Sequence, residues 1–302
     1  MNKNGVKKIA FFGTPQFAVT ILEELKRADI LPTLVITAPD KPQGRGMIMT
    51  APPVKVWAQE NNIKVIQPAS LKKSDTSDVQ FETSLKEPWD LFIVAAYGKI
   101  IPENILEIPK NKTLNVHPSL LPKFRGPSPI ESAILADDKE IGVSIMRLDK
   151  EMDHGPIVVQ EKIPTEKIEK GAADAAVWSI PATELEDIAA HFGGELLAKI
   201  IPDWIAGKII EKEQDHAAAT YSKKIAKADG LIELEADPYS NYLKFCAYSG
   251  WPGTYFFKEH TGKKIRVSIK KAALVDGQLI IQTVVPEGRA EMSYLDFLRG
   301  IK

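Results

Sequence analysis

Residues 8–27 read Lys8-Ile-Ala-Phe-Phe-Gly-Thr-Pro-Gln-Phe-Ala-Val-Thr-Ile-Leu-Glu-Glu-Leu-Lys-Arg27, a short apolar run, a turn and an amphipathic run. Ile9 to Phe12 has strand composition, Gly13-Thr14-Pro15 stops it, and apolar residues then recur at helical spacing from Phe17 to Arg27. The reading is strand, turn, helix. Thr14 is expected to cap the helix, with Pro15 at its first position, where a missing N–H is harmless. Working outward, the spacing predicts strands at Thr33 to Thr37, Val65, Leu91 to Ala95, Thr113 to Val116, Ile141 to Met146 and Ile157 to Glu161, and a helix from Val54 to Asn61. Strands alternating with helices predict an α/β fold: a Rossmann-like, largely parallel sheet with helices on both faces.

Between Ala38 and Pro53 lies a long connection with four prolines and Gly44-Arg45-Gly46, and long loops inside compact domains usually carry function. Thr183 to Ile205 has the apolar spacing of a long helix closing the first domain, with Pro202 expected to break or kink it near its end. Beyond Gly207 a polar stretch leads into short β-rich runs at Lys264 to Ile269 and Leu279 to Val285 with a Val275-Asp276-Gly277 turn, predicting a small OB-like β-barrel or a sandwich. The expected division is residues 1–206 and residues 207–302.

Length and composition narrow the function classes. At 302 residues the chain has room for about two domains of ~150 residues. A single cysteine, Cys246, rules out an internal disulfide, and no Cys/His cluster has zinc-finger spacing, so a reducing cytoplasmic setting is expected and no metal. The apolar run near the start is too short for a signal-peptide core, and nothing approaches the ~20 apolar residues of a membrane span. With a formal charge of −1, any polyanion site has to be a local patch. Such a patch exists from Thr261 to Lys271, which holds Lys263, Lys264, Arg266, Lys270 and Lys271 and no acid.

The densest chemical signal is Asn115-Val-His117-Pro-Ser119-Leu120-Leu121-Pro122-Lys-Phe-Arg-Gly126. Alternation along the strand puts Asn115 and His117 on one face, at the strand end where α/β sheets bind ligands. An amide donor and an imidazole together can stabilise an oxyanion and move a proton. A carboxylate partner is expected, and Asp149, Glu151 and Asp153 compete for that place on composition.

Here the chain resembles the folate-dependent formyltransferases, whose shared core has an Asn-x-His pair, a Ser-Leu-Leu-Pro segment and, at the interval found here, an Asp followed by Gly; that match selects Asp153. Further segments are similar to the methionyl-tRNA formyltransferases: Phe12-Gly-Thr-Pro-Gln-Phe-Ala18, Asp40-Lys-Pro-Gln-Gly-Arg-Gly46, Pro53-Val-Lys55, Arg125-Gly-Pro-Ser-Pro-Ile130, Ala219-Thr-Tyr-Ser-Lys-Lys-Ile225, and the stretch from Pro286 to Gly300. The resemblance is weakest from Lys162 to Ile180.

That resemblance implies 10-formyltetrahydrofolate as donor and the α-amino group of methionyl initiator tRNA as acceptor, in a monomer. It implies Asn115, His117 and Asp153 as catalytic residues. It implies a folate site lined by Tyr97, Gly98, Ile100 and Pro102 and by the Ser119-Leu120-Leu121-Pro122 segment. It implies tRNA contact through Arg45 and through the Lys263, Lys264, Arg266, Lys270 and Lys271 patch of the C-terminal domain. Formyl transfer to a sugar-nucleotide amine, folate hydrolysis and a non-catalytic RNA-binding module are the competing readings. A dinucleotide site is disfavoured, because Gly13-Thr14-Pro15 stands where a GxGxxG fingerprint would be.

Overall fold

The computed structural model describes residues 8–44, 46–71, 79–168, 178, 180–260 and 262–300. They form two compact units, the first made of Met1–Pro127, Glu140–Ile163 and Glu186–Tyr221 and the second of Ser128–Lys139, Pro164–Leu185 and Ser222–Lys302. The chain does not divide at one point: residues 207–221, which composition groups with the C-terminal domain, belong to the first unit.

The first unit holds β1 (Ile9–Gly13), α1 (Gln16–Arg27), β2 (Leu34–Ile36), β3 (Lys41–Gln43), β4 (Ile48–Thr50), α2 (Pro53–Glu60), β5 (Lys64–Ile66), α3 (Val79–Leu85), β6 (Leu91–Ala95), α4 (Glu103–Leu106) and β7 (Thr113–His117). After α5 (Pro129–Leu135) of the second unit come β8 (Gly142–Arg147) and β9 (Ile157–Lys162). Seven strands form one sheet in the order β5-β2-β1-β6-β7-β8-β9, parallel from β5 through β7 and antiparallel at β8 and β9. This is the Rossmann-like sheet the alternation predicts. The central strands β1, β6 and β7 are buried along their whole length, as expected of near-continuous apolar runs. The chain winds outward from β1 through β2 to β5 and returns to the other side of β1 at β6, so the topological switch point lies between β1 and β6, the place where open α/β sheets bind ligands.

Three local expectations change. Helix α1 begins at Gln16 with Pro15 as its cap residue, and the Thr14 hydroxyl, instead of capping, donates to the Tyr97 carbonyl at 3.0 Å, tying the end of β1 to the end of β6. The connection from Ala38 to Pro53 contains the β3–β4 hairpin, turned through Gly44 (φ +68°) and Met47 (φ +51°). After α6 (Thr165–Ile168), helix α7 (Ala182–Ile205) continues through Pro202 to Ile205; the proline forgoes the bond to the Ala198 carbonyl, and because only three helical residues follow it, there is little helix beyond it to break.

In the second unit, α8 (Pro238–Ala247) precedes a four-stranded antiparallel sheet, β10 (Tyr255–His260), β11 (Lys263–Val275), β12 (Gln278–Pro286) and β13 (Met292–Ser293), followed by α9 (Tyr294–Arg299). Phe256, Val267, Ile269 and Val284 from alternate strand positions close a core with Ile232 and Phe297. Cys246 on α8 is buried, and burial pushes its thiol up to about 11. At pH 8 only about one part in a thousand is thiolate, the reactive form. The folded protein is therefore expected to resist iodoacetamide at pH 8 and to be alkylated once unfolded in urea, as read by intact mass.

Candidate active site

Asn115 and His117 end β7, which lies between β6 and β8, paired to β6 at Val94 and to β8 at Met146 and Ser144. Both side chains are buried. The chain then folds back through residues 118–126, and one hydroxyl organises that return. Ser144 Oγ accepts from the Leu121 N–H at 3.1 Å and from Gln160 Nε2 at 2.8 Å, and donates to the Ser119 carbonyl at 2.6 Å. Gln160 Nε2 also donates to the Leu121 carbonyl at 2.8 Å. The Ser119 hydroxyl closes the turn on the Lys123 carbonyl at 2.6 Å.

The fold-back carries the Phe124 carbonyl to 3.0 Å from His117 Nε2. A carbonyl only accepts, so Nε2 carries the proton and the neutral ring leaves Nδ1 as its basic atom. Asp153 stands on that side, with Oδ2 3.7 Å from His117 Nδ1. The same Oδ2 accepts from the Gly126 backbone N–H at 2.7 Å. Asp153 has φ +50°, in the left-handed region. Such conformations cost free energy and cluster at functional sites. The structure thus brings together all three residues of the expected constellation, and of the three competing acids it puts Asp153 at the imidazole. Asp149 instead bonds His154 Nδ1 at 2.8 Å and the Glu151 N–H at 2.8 Å.

A family model described as formyl transferase matches residues 7–174. A methionyl-tRNA formyltransferase of Chloroflexus aurantiacus is 37% identical over 282 residues, covering 92% of this chain and 84% of that one. Another, from Geobacter sulfurreducens, is 31% identical and covers 98% and 94%. The chain belongs to the methionyl-tRNA formyltransferase family. Its fold is shared by a methionyl-tRNA formyltransferase from Clostridium thermocellum (TM-score 0.58, 16% identity, 93% of this chain and 99% of that one). It is shared also by an N-formyltransferase from Helicobacter canadensis in complex with folinic acid and dTDP-3-aminofucose (TM-score 0.60, 19% identity, 89% and 88%).

The other residues to which the family resemblance points fall in several places. Gly98 (φ +79°) and Ile100 lie on the segment after β6, and Ile100 is 80% exposed, a large apolar side chain left in water. Pro102 caps α4. The Tyr97 side chain packs in the core edge-on to Phe12, and burial raises its hydroxyl pKa, so contact from Tyr97 to a ligand falls to its backbone. Ser119 and Leu121 are buried and Leu120 and Pro122 half-buried, with Leu120 against Gly142, where an added Cβ would lie 2.3 Å from its Cδ2. Arg45 lies outside the described residues. Its flanking hairpin is anchored where Asp40 accepts from Lys55 at 2.8 Å and from Gln67 at 2.7 Å, and those two bonds hold the Asp40 carboxyl below its ordinary pKa.

Lys263, Lys264, Arg266, Lys270 and Lys271 all lie on β11 of the second unit. Lys264 Nζ sits 4.7 Å over the Phe257 ring and the Arg266 guanidinium 3.8 Å over Tyr255. A β-bulge follows Ile269, and it is this irregularity that lets the consecutive Lys270 and Lys271 both be exposed.

Sequence reading gave no role to Ser144, although it lies in Gly142-Val-Ser-Ile-Met146, a segment similar to the family, or to Gln160, because nothing in strand alternation marks a hydroxyl or an amide as the holder of a distant turn. Ser144→Ala removes one hydroxyl and strips the Leu121 N–H and the Ser119 carbonyl of a partner. Leaving buried groups unsatisfied costs ~1–3 kcal/mol each, so a loss of unfolding free energy of that order is expected, seen as a lower urea midpoint by circular dichroism.

Proposed function

We propose that this protein transfers the formyl group of 10-formyltetrahydrofolate to the α-amino group of methionyl initiator tRNA. The observation that carries the reading is the pairing of Asn115 and His117 at a switch-side strand end with Asp153 Oδ2 3.7 Å from His117 Nδ1, in a chain of this family. Both the folate donor and the tRNA are substrates. The fit for the donor rests on the exposed Gly98 and the exposed apolar Ile100 side chain after β6, with Lys99 half-buried between them.

In the reaction the amine nitrogen bonds to the formyl carbon, the bond from that carbon to the folate nitrogen breaks with its electron pair going to that nitrogen, and the proton lost by the amine is balanced by one taken up there. An α-amino group has a pKa of about 7.7 to 8.0, so a neutral fraction is present near pH 7 without strong activation. The Asn115 side-chain amide, on the same strand face as His117, can donate to charge that develops on the formyl oxygen. His117 offers Nδ1 to a proton, directly or through a water. The carboxylate of Asp153 beside it stabilises the imidazolium, and the Phe124 carbonyl keeps the ring in place.

The decisive assay is formyl transfer to methionyl initiator tRNA with a sugar-nucleotide amine as competing acceptor; preferential formylation of the sugar amine refutes the reading. His117→Ala and Asp153→Asn are each expected to lower kcat by about a hundredfold or more with tRNA affinity retained. Wild-type turnover in either removes that residue from the chemistry.

The tRNA reading makes a separate prediction. Replacing Lys263, Lys264, Lys270 and Lys271 with alanine is expected to weaken all tRNAs alike and to flatten the salt dependence of binding, the behaviour of phosphate contacts. Arg45→Ala is expected to reduce discrimination between initiator and elongator tRNA. Filter-binding titrations with two tRNAs across a salt series check both, and an unchanged salt slope in the lysine variant counts against the patch.

A further inference from the structure

Asp153 reaches His117 from a short turn, Asp149 to Gly155, whose backbone is held from outside by one side chain. Gln214, 5% exposed, donates through Nε2 to the Asp153 carbonyl at 3.0 Å and to the Gly155 carbonyl at 2.7 Å. Its Oε1 accepts from Arg125 Nε at 3.1 Å and Nη2 at 2.7 Å. The amide has a single possible orientation, because a guanidinium only donates and carbonyls only accept. Arg125 is 1% exposed, and its Nη2 also reaches His216 Nδ1 at 2.9 Å, which fixes that ring as the acceptor. The His216 ring stacks on His154 at 4.0 Å with an interplanar angle of 3°, and His154 is bonded to Asp149 at the start of the same turn.

The return of residues 214–221, through a 3₁₀ turn at His216–Ala218, brings this assembly to the site. Thr220 Oγ1 accepts from the Phe124 N–H at 2.8 Å, the Thr220 carbonyl accepts from the Arg125 N–H at 2.9 Å, and the Thr220 N–H reaches the Pro122 carbonyl at 3.2 Å. Phe124, whose carbonyl holds His117, and Gly126, whose N–H holds the Asp153 carboxylate, flank Arg125 directly. One guanidinium therefore stands between the anchor of the imidazole and the anchor of the acid, and through Gln214 it holds the backbone of the acid itself.

We propose that Gln214, gripped by the buried Arg125, is a positioning residue that sets the placement of Asp153 against His117 for formyl transfer. The inference rests on the reading of Asp153 as the acid of that reaction. The two N–H groups of one neutral amide, one on the carbonyl of Asp153 at φ +50° and one on that of Gly155, supply what the local conformation does not: a fixed turn. Misplacement of a reacting group by an ångström can cost about a hundredfold in rate, whereas substrate affinity depends on other contacts.

The test uses the full chain and a double-mutant cycle. Gln214→Glu keeps the shape of the side chain and an acceptor for Arg125 but removes the amide donor to the two carbonyls; Gln214→Ala removes both. Each variant is made in the native and the Asp153→Asn background, with kcat and KM for donor and tRNA measured by single-turnover and steady-state formyl transfer, and folding checked by thermal unfolding. Gln214→Glu is expected to unfold at a lower temperature, because two carbonyls lose their donor, but to stay folded at the assay temperature, where it lowers kcat about tenfold or more with both KM values within about twofold. In the Asp153→Asn background the same change is expected to cost less than about twofold, because the group it positions is gone. An equal loss in both backgrounds, or wild-type kcat in Gln214→Glu, overturns the inference while leaving Asp153 in its role. Wild-type kcat in Asp153→Asn alone overturns the reading of the acid, and the positioning role falls with it.

Discussion

The hydroxyl of Ser144 is where the geometry of the first unit is decided. A strand running into His117 would carry the chain away from the sheet, yet the function read from that histidine needs a carbonyl and an N–H brought back to its two sides. Ser144 does this from the adjacent antiparallel strand, satisfying the Leu121 N–H and the Ser119 carbonyl at once, while Gln160 one strand further binds the same hydroxyl. The reversal at β8 matters here. Pairing of His117 with Ser144 across an antiparallel ladder places that hydroxyl level with the strand end, and the fold-back then delivers Phe124 and Gly126 to the imidazole and the acid.

Legibility in the sequence followed the physics of each element. Strands β1, β6 and β7 were readable because burial on both faces demands continuous apolar runs, and the Leu91 to Ala95 bounds agree with β6 to the residue. Asn115 and His117 were readable because alternation fixes which side chains share a face. The Asp153 assignment came from family resemblance, since three acids within five residues are equivalent in composition and only a turn with one left-handed residue separates them. The capping role expected of Thr14 failed because the helix starts one residue later, with Pro15 in the cap position, and the Thr14 hydroxyl is turned to the Tyr97 carbonyl. The β3–β4 hairpin was hidden by prolines, which read as loop but are tolerated in an isolated two-stranded ribbon.

Residues 207–221 show the same limit on a larger scale. Their polar composition reads as the start of a new domain, whereas Glu211, the Lys212 backbone and Gln214 bond partners in the first unit. Arg147 Nε and Nη2 bond both carboxylate oxygens of Glu211 at 2.8 Å, Lys212 exchanges two backbone bonds with Ile157, and Gln214 is buried among carbonyls and a guanidinium. A segment can be polar because it is solvated or because it is hydrogen-bonded inside, and composition does not separate the two.

The basic strand β11 carries the argument one step further. On the reading that it meets tRNA, its five cations are not equivalent. Arg266 and Lys264 lie over the rings of Tyr255 and Phe257, and those rings meet edge to face at 5.6 Å, so these two charges are held in place by cation–π contact. Lys270 and Lys271 leave the bulge exposed on long, mobile stems. A mobile ammonium neutralises whichever phosphate is near and adds salt-dependent affinity without direction. A guanidinium fixed on an aromatic face presents its donor edge at one angle, and so can set the register of a backbone that the lysines only attract. On that reading the strand offers both attraction, from the lysines, and orientation, from the fixed guanidinium, to an RNA backbone.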